Sequence, residues 1–104
     1  MTTLPHTSLP LSAEVLDDIR RIAAPHGRIF LFGSRAKNTH RPFSDIDLCI
    51  INQKAIPDII MASIKEQFQE SDIPFKVDVV DFHSISNDFQ KLISREWMEL
   101  FTSH

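Results

Sequence analysis

Apolar residues in the first third of the chain form a helical pattern and then a short continuous run. Ser12 can cap a helix, and the residues after it place apolar side chains on one helical face, at Val15, Leu16, Ile19, Ile22 and Ala23. Pro25-His26-Gly27 is expected to end this helix. The apolar run of residues 28–32 (RIFLF), closed by Gly33, predicts a buried strand.

A second strand is predicted shortly after the first. Residues 34–37 (SRAK) indicate a short helical turn, and residues 38–44 indicate a loop. From residue 45 to residue 51 alternate side chains are apolar, at Ile46, Leu48 and Ile50. Only a turn and a loop separate the two strands, so they are predicted to pair antiparallel.

The second half of the chain continues with a helix, a strand and another helix. Residues 55–71 predict the longest helix, with an apolar stripe at Ile56, Ile59, Ile60, Ile64 and Phe68. Ile73-Pro74 ends it, and the Val-rich residues 75–82 predict a third strand. Ser86 or Asn87 can cap the last helix, whose inward side chains are expected to be Phe89, Leu92 and Ile93.

The order of these elements predicts an α+β fold. Residues 97–101 (WMELF) suit either the end of the last helix or a short fourth strand, and we favour the strand. The helix between the second and third strands is a crossover, which predicts that these two strands are parallel. Residues 12–104 are therefore expected to form one domain, a small mixed β-sheet of three or four strands packed with helices, after a loose N-terminal lead-in at residues 1–11.

Composition narrows the classes of function. The chain has 104 residues and a formal net charge of -3, and because it has no block of Lys or Arg, direct polynucleotide binding is not expected. No apolar run approaches the roughly 20 residues that cross a bilayer, so no membrane association is expected, and the N-terminus lacks the features of a secretory signal. Cys49 is the single cysteine and lies in an apolar run, which indicates a small buried side chain in a reducing compartment. A cytoplasmic location is predicted.

Two carboxylates stand two residues apart at the start of the predicted second strand. The side chains of Asp45 and Asp47 would project from the same face of the strand, with Cα atoms about 6.6 Å apart. At that spacing each can give an oxygen to one small cation, and Mg²⁺ prefers such ligands while keeping other positions for water and phosphate. The pair therefore predicts a divalent-metal site. The alternative is that both carboxylates point into solvent from a half-exposed strand.

Gly33-Ser34 precedes these acids by ten residues and lies where the first strand ends. Gly33 permits unusual backbone angles and close approach of a ligand, and the Ser34 hydroxyl can donate to a phosphate oxygen. Arg35 and Lys37 add positive charge nearby. Gly33, Ser34 and Arg35 are therefore predicted to bind phosphate, although a Gly-Ser turn alone is also typical of an ordinary helix cap. His40, between the two halves of the motif, is a further candidate to line the site.

A third carboxylate would complete a site for in-line displacement at phosphorus. The candidates are Asp78 and Asp81 on the predicted third strand. Asp78 lies between valines in mid-strand, where an acid is costly unless it is paired or bound to metal. Asp81 is at the strand end, where exposure is expected. Asp78 is therefore chosen, with a solvated or salt-bridged Asp78 as the alternative.

These residues resemble the signature of a known superfamily. Gly33-Ser34, ten residues and Asp45-Ile46-Asp47 match the GS-x10-DxD pattern of the nucleotidyltransferases related to DNA polymerase beta. The segment 31–51 (LFGSRAKNTHRPFSDIDLCII) is most similar to the minimal nucleotidyltransferases (MNT) of prokaryotes, and the resemblance extends over about residues 12–101. Asn38 and Lys37 stand where the family often has Gly and Arg, which are mild departures.

The resemblance implies a mixed sheet flanked by helices and a role for each residue of the motif. Asp45 and Asp47 would bind two Mg²⁺ ions, and Asp78 would help to bind one and would activate the attacking hydroxyl. Gly33 and Ser34 would contact the triphosphate. ATP is the donor that the resemblance implies, while the residues themselves do not select one nucleoside triphosphate over another.

The acceptor is the open question. Larger relatives carry a second domain for the acceptor, and 104 residues are expected to leave no room for one, so another protein would present it. Minimal family members resemble partners of a HEPN-type toxin, which implies AMP transfer to that toxin by its antitoxin. The chain contains no Tyr, so a tyrosine acceptor would lie on another chain.

Two other functions stay open beside this one. One is a non-catalytic antitoxin that occludes its partner, and the other is a nucleotidyltransferase subunit acting on a small molecule such as an aminoglycoside. Association with identical or different chains also stays open. Trp97, Met98 and Phe101 are candidates for an apolar partner surface or for ordinary core packing.

Overall fold

A computed structural model describes residues 11–37 and 44–101, and it confirms the α+β class. Within those residues no helix is long and apolar enough to cross a membrane. Short 3₁₀ turns follow the first helix and the third strand. The elements in chain order are α1 (Ala13–Ala23), β1 (Arg28–Phe32), β2 (Ile46–Ile51), α2 (Asp58–Gln69), β3 (Val77–Asp81), α3 (Asn87–Ser94) and β4 (Met98–Phe101).

The four strands form one mixed sheet in the order β3-β2-β1-β4. β1 pairs antiparallel with both β2 and β4, and β2 pairs parallel with β3. The predicted antiparallel and parallel pairs are therefore both confirmed, and residues 98–101 form a strand, as favoured. A bidentate ion pair between Arg28 and Glu99, at 2.9 and 3.0 Å, joins β1 to β4.

The main core lies on the sheet face that α1 and α2 cover. The Ser12 hydroxyl accepts from the Val15 amide at 3.3 Å and caps α1, as predicted. Side chains alternate between the two faces of a strand, so every second strand residue enters this core. The buried residues that strands contribute to it are Ile29, Leu31, Ile46, Leu48, Ile50 and Val79.

A smaller cluster on the opposite face packs the sheet against α3. It is centred on Phe30, Cys49 and Ile93, all buried. Burial raises the pKa of the Cys49 thiol to about 12, with a smaller contribution from the charge of Asp81, so Cys49 is the small buried side chain that was predicted. The Trp97 ring stacks on the Phe30 ring with centroids 4.0 Å apart, so Trp97 belongs to this core.

Details of two predicted helices are wrong. α2 begins at Asp58 and not at residue 55, with Pro57 as its N-cap, so Ile56 precedes the helix. Ile59 is 78% exposed, and Met61 is buried with Ile64 and Phe68 instead. In α3, which Ser86 caps, Leu92 is 59% exposed although it was expected to face inward.

Replacement of Trp97 by Ala should lower the free energy of unfolding by about 2–3 kcal/mol, because it removes the ring that covers Phe30 from a partly buried position. Leu92→Ala is the matched control from the same end of the chain, and its effect should stay within about 0.5 kcal/mol because that side chain is exposed. Urea denaturation followed by circular dichroism measures both. Equal losses for the two variants would contradict the packing of Trp97.

Candidate active site

One end of the sheet brings the predicted site residues together. β1 ends there, and β2 and β3 begin there, because β1 is antiparallel to β2 and β2 is parallel to β3. Asp47 is paired in register with Phe32 on one side and with Asp78 on the other. Gly33 follows Phe32 directly, and Asp45 immediately precedes β2. The topology therefore gathers the turn and three acids from separate parts of the chain.

Two neighbouring acids act on the Asp47 carboxylate. Asp47 and Asp78 lie on the face opposite the main core, since they alternate with core residues. The pKa of Asp47 is raised, first by burial and then by the negative charges of Asp78 and Asp45, while Lys76 opposes the shift. The Lys76 ammonium is 3.7 Å from a carboxylate oxygen of Asp78. The site thus concentrates negative charge with one cation at its margin.

Gly33 is in direct contact with Asp47. Its φ is 78°, a left-handed conformation that glycine adopts at little cost. A Cβ atom at this position would overlap the Asp47 carboxylate, so a larger residue would force that side chain to move. The Lys37 amide donates to the Gly33 carbonyl at 3.2 Å, which closes residues 33–37 into a single turn that contains Ser34.

The cationic side chains predicted near phosphate have protein partners. Arg35 is buried, and its guanidinium donates to the backbone carbonyls of Ser44 and Asp45. The Lys37 ammonium lies 3.7 Å from a Glu96 carboxylate oxygen at the surface. Binding of nucleotide by Arg35 stays a prediction. His40, the further candidate, lies outside the described residues.

Asp81 has a different environment from the one expected. It is 3% exposed, although its place at the strand end predicted exposure, and the side chain of Asp78 is 47% exposed. The Asp81 carboxylate accepts from the Ile56 amide at 2.7 Å, the His83 amide at 3.1 Å and the Ser84 hydroxyl at 2.9 Å. The expected exposure of Asp81 was therefore wrong. Asp78 is half-exposed and forms an ion pair with Lys76, as the alternative for this residue described, and its role in the site stays a prediction.

The acids fit a divalent cation by their chemistry. Among the described side chains, no group of three His, Cys, Asp or Glu residues is gathered tightly enough to hold a metal ion as positioned. Asp47 and Asp78 nevertheless present carboxylate oxygens from adjacent positions on paired strands, and Asp45 is near enough to act on Asp47. Oxygen ligands of this kind suit Mg²⁺, and a cation would offset the repulsion among them.

At this end of the sheet a Gly-Ser turn meets carboxylates on two adjacent strands. This is the arrangement expected for the nucleotidyltransferases that the sequence motif resembles. The family model for polymerase beta nucleotidyltransferases matches residues 17–104. The chain belongs to this family.

A relative and two solved structures refine the comparison. The chain is 32% identical over 93 residues to the probable protein adenylyltransferase MntA of Haemophilus influenzae, covering 86% of this chain and 82% of the relative. A chain of a toxin-antitoxin crystal structure with AMP-PNP has the same fold, with a TM-score of 0.68 and 22% identity over 88% of this chain and 73% of the other.

The second structure is the tri-AMPylated HEPN toxin of Shewanella oneidensis in complex with an MNT antitoxin. The TM-score is 0.61 and the identity 20%, over 86% of this chain and 68% of the other. At these identities the two structures establish the fold.

Asp81→Ala should lower the free energy of unfolding by about 3 kcal/mol, because it leaves the buried Ile56 amide and the part-buried His83 amide and Ser84 hydroxyl without their acceptor. Asp81→Asn keeps one acceptor oxygen and should lower the free energy of unfolding by less. Urea midpoints measure both changes, and Asp72→Ala, at an exposed acid, should stay within about 0.5 kcal/mol of the parent. A loss at Asp72 as large as that at Asp81 would contradict the assigned contacts.

Proposed function

We propose that this chain is a metal-dependent protein adenylyltransferase that transfers AMP from ATP to a HEPN-type partner protein and so acts as its antitoxin. Membership of the polymerase beta nucleotidyltransferase family and 32% identity to a probable protein adenylyltransferase support the reaction. The observation that carries the proposal is the register pairing of Asp47 with Asp78 beside the Gly33 turn. This arrangement joins acids to a turn that can receive phosphate.

The acids have two tasks in the proposed reaction. Asp45, Asp47 and Asp78 would hold Mg²⁺, with two ions expected, and the metal would supply positive charge to the triphosphate and the departing pyrophosphate. Asp78 would accept the proton of the acceptor hydroxyl. The oxygen of that hydroxyl would bond to the α-phosphorus as the bond from the α-phosphorus to pyrophosphate breaks. Its half-exposed side chain supports this role, because an acceptor can reach it from outside.

The turn after β1 would bind the triphosphate. Gly33 carries no side chain, so a phosphate can approach the backbone closely, and the Ser34 hydroxyl would donate to a phosphate oxygen. The contact between Gly33 and the Asp47 carboxylate supports this placement, because it brings a phosphate-binding turn next to a metal ligand.

The acceptor would lie on a partner protein. The chain contains no Tyr, so transfer to tyrosine would have to occur on another chain. The similar structures include an AMPylated HEPN toxin bound to an MNT antitoxin, and this is the kind of partner we propose. We also propose that the reaction takes place in the cytoplasm.

Replacement of Asp45 and Asp47 by Asn should abolish the transfer of labelled AMP to the partner, because the metal ligands lose their charge. The assay mixes the purified chain, the HEPN-type protein, Mg²⁺ and α-labelled ATP, and chelation of Mg²⁺ should also stop labelling. A charge-matched control, Asp17→Asn with Asp58→Asn, changes exposed acids on α1 and α2 and should label normally.

The double variant, a triple variant that also changes Asp78, and an assay with an aminoglycoside as acceptor separate the alternatives. Unchanged labelling by the Asp45, Asp47 double variant would rule out the proposed mechanism. Neutralisation of the toxin that survives loss of all three acids would show an occluding antitoxin, and labelling of an aminoglycoside but not of a protein would show a small-molecule enzyme.

Gly33→Ala should lower kcat by about 100-fold, because the added Cβ would displace the Asp47 carboxylate and a shift of about 1 Å at a reacting site has that effect. Gly27→Ala is the matched control: Gly27 also has a positive φ of 151°, but its Cβ would meet the Ile51 backbone at the far end of the sheet. That variant should lose stability while its folded fraction keeps the parental kcat. Equal kcat values for both variants would contradict the contact with Asp47.

A further inference from the structure

Arg35 is a buried charge to which the proposed chemistry gives no task. Its exposed fraction is 4%, although arginine is rarely buried unless it is paired. Burial lowers the pKa of Arg35, and the nearby negative charge of Asp45 acts in the opposite direction. An arginine side chain stays protonated in proteins, so a full positive charge is held inside the fold next to the site. The contacts of Arg35 fall into two groups, one at the start of β2 and one at the start of β3.

The first group of contacts fixes the entry to β2. The Arg35 Nε donates to the Ser44 carbonyl at 3.2 Å and to the Asp45 carbonyl at 3.3 Å, and Nη2 donates to the Ser44 carbonyl at 2.8 Å. These bonds attach the turn after β1 to the backbone that carries the Asp45 side chain. Charged donors form stronger hydrogen bonds than neutral ones, so the attachment is firm.

The second group of contacts reaches the entry to β3. The Arg35 guanidinium carbon lies 4.4 Å from the centroid of the Phe75 ring, two residues before β3 begins. At the same point the Ile46 amide donates to the Lys76 carbonyl at 2.9 Å and joins β2 to that segment. One side chain therefore touches the segments that lead into both strands bearing the acids.

We propose that Arg35 is a positioning residue that sets the distance between the Gly33 turn, Asp45 and Asp78 through the backbone, in place of the direct phosphate contact that the sequence predicted for it. The inference rests on the proposed nucleotidyl transfer. The planar guanidinium suits this task because it forms two kinds of contact at once, a fork of hydrogen bonds at its edge and a stack on its face. Lysine keeps the charge but cannot reproduce that combination.

The test compares Arg35→Lys and Arg35→Met with the parent in the AMP-transfer assay with the full chain and its protein partner. We expect kcat to fall about 10- to 100-fold in both variants while the KM for ATP changes less than about 3-fold, because the acids move but the triphosphate loses no ligand. A KM raised about 10-fold with kcat retained would show a direct phosphate contact and would overturn the inference. A lower Tm with both constants unchanged would overturn it as well.

Arg28→Lys is the matched control. Arg28 also forms a bidentate contact, with Glu99, and stacks on an aromatic ring, that of Phe30, but it lies at the start of β1, away from the acids. Its variant should keep the parental kcat. A loss of kcat equal to that of Arg35→Lys would show a general effect of weakening the sheet and would count against a positioning role.

A second measurement does not depend on transfer. Hydrogen exchange at the Ile46 amide should accelerate about 10-fold or more in Arg35→Lys and stay unchanged in Arg28→Lys, because the bond to the Lys76 carbonyl depends on the anchored entry to β2. Unchanged exchange at Ile46 would overturn the inference even if no transfer is detected in the parent. Absence of transfer by the parent would instead count against the proposed function.

Phe75→Leu covers the case in which the Arg35 variants do not fold. It removes the aromatic face and leaves the hydrogen bonds to the Ser44 and Asp45 carbonyls in place. A fall in kcat of about 3-fold or more with an unchanged KM would support positioning through this stack. A kcat equal to that of the parent would overturn it.

Discussion

The parallel pairing of β2 with β3 places Asp47 beside Asp78, and the rest of the molecule is arranged around that pair. Parallel neighbours cannot be joined by a tight turn, so the chain must cross over, and α2 makes this crossing. α2 packs its buried residues against the core side of the sheet. Packing of α2 on the core face therefore holds β2 beside β3, and it keeps the like charges of Asp47 and Asp78 close together on the opposite face.

The antiparallel pairing of β1 with β2 supplies the second half of the site. It brings the end of β1 next to the start of β2, so the turn at Gly33 meets the Asp47 carboxylate without any intervening segment. Arg35 follows Gly33 by two residues, and its side chain donates a hydrogen bond to the Asp45 carbonyl. Ten residues separate Ser34 from Asp45 in sequence, but the strand pairing makes the two segments neighbours in space.

The sequence predicted those features that depend on local periodicity. Strand alternation and element order were enough for the mixed sheet and for the convergence of Gly33, Asp47 and Asp78, because strand register follows from which face is apolar. The start of α2 was missed because Pro57 forms its N-cap, and the partners of Arg35 were missed because its contacts come from the lead-in to β2 and from Phe75. Contacts between distant segments leave no periodic signal in the chain.

Asp78 and Asp81 show how such contacts give two acids on one strand different environments. They lie three positions apart on β3 and therefore face opposite sides of the sheet. The side chain that faces the covered side is held by fixed donors, the Ile56 amide among them, so its oxygens are already occupied. The Asp78 side chain lies on the face that the smaller cluster covers only in part, is 47% exposed beside the Lys76 ammonium, and is paired in register with Asp47. Two acids three positions apart on one strand thus have different environments because α1 and α2 cover the face of Asp81 more completely than α3 covers the face of Asp78, and this difference leaves Asp78 as the carboxylate for the proposed chemistry.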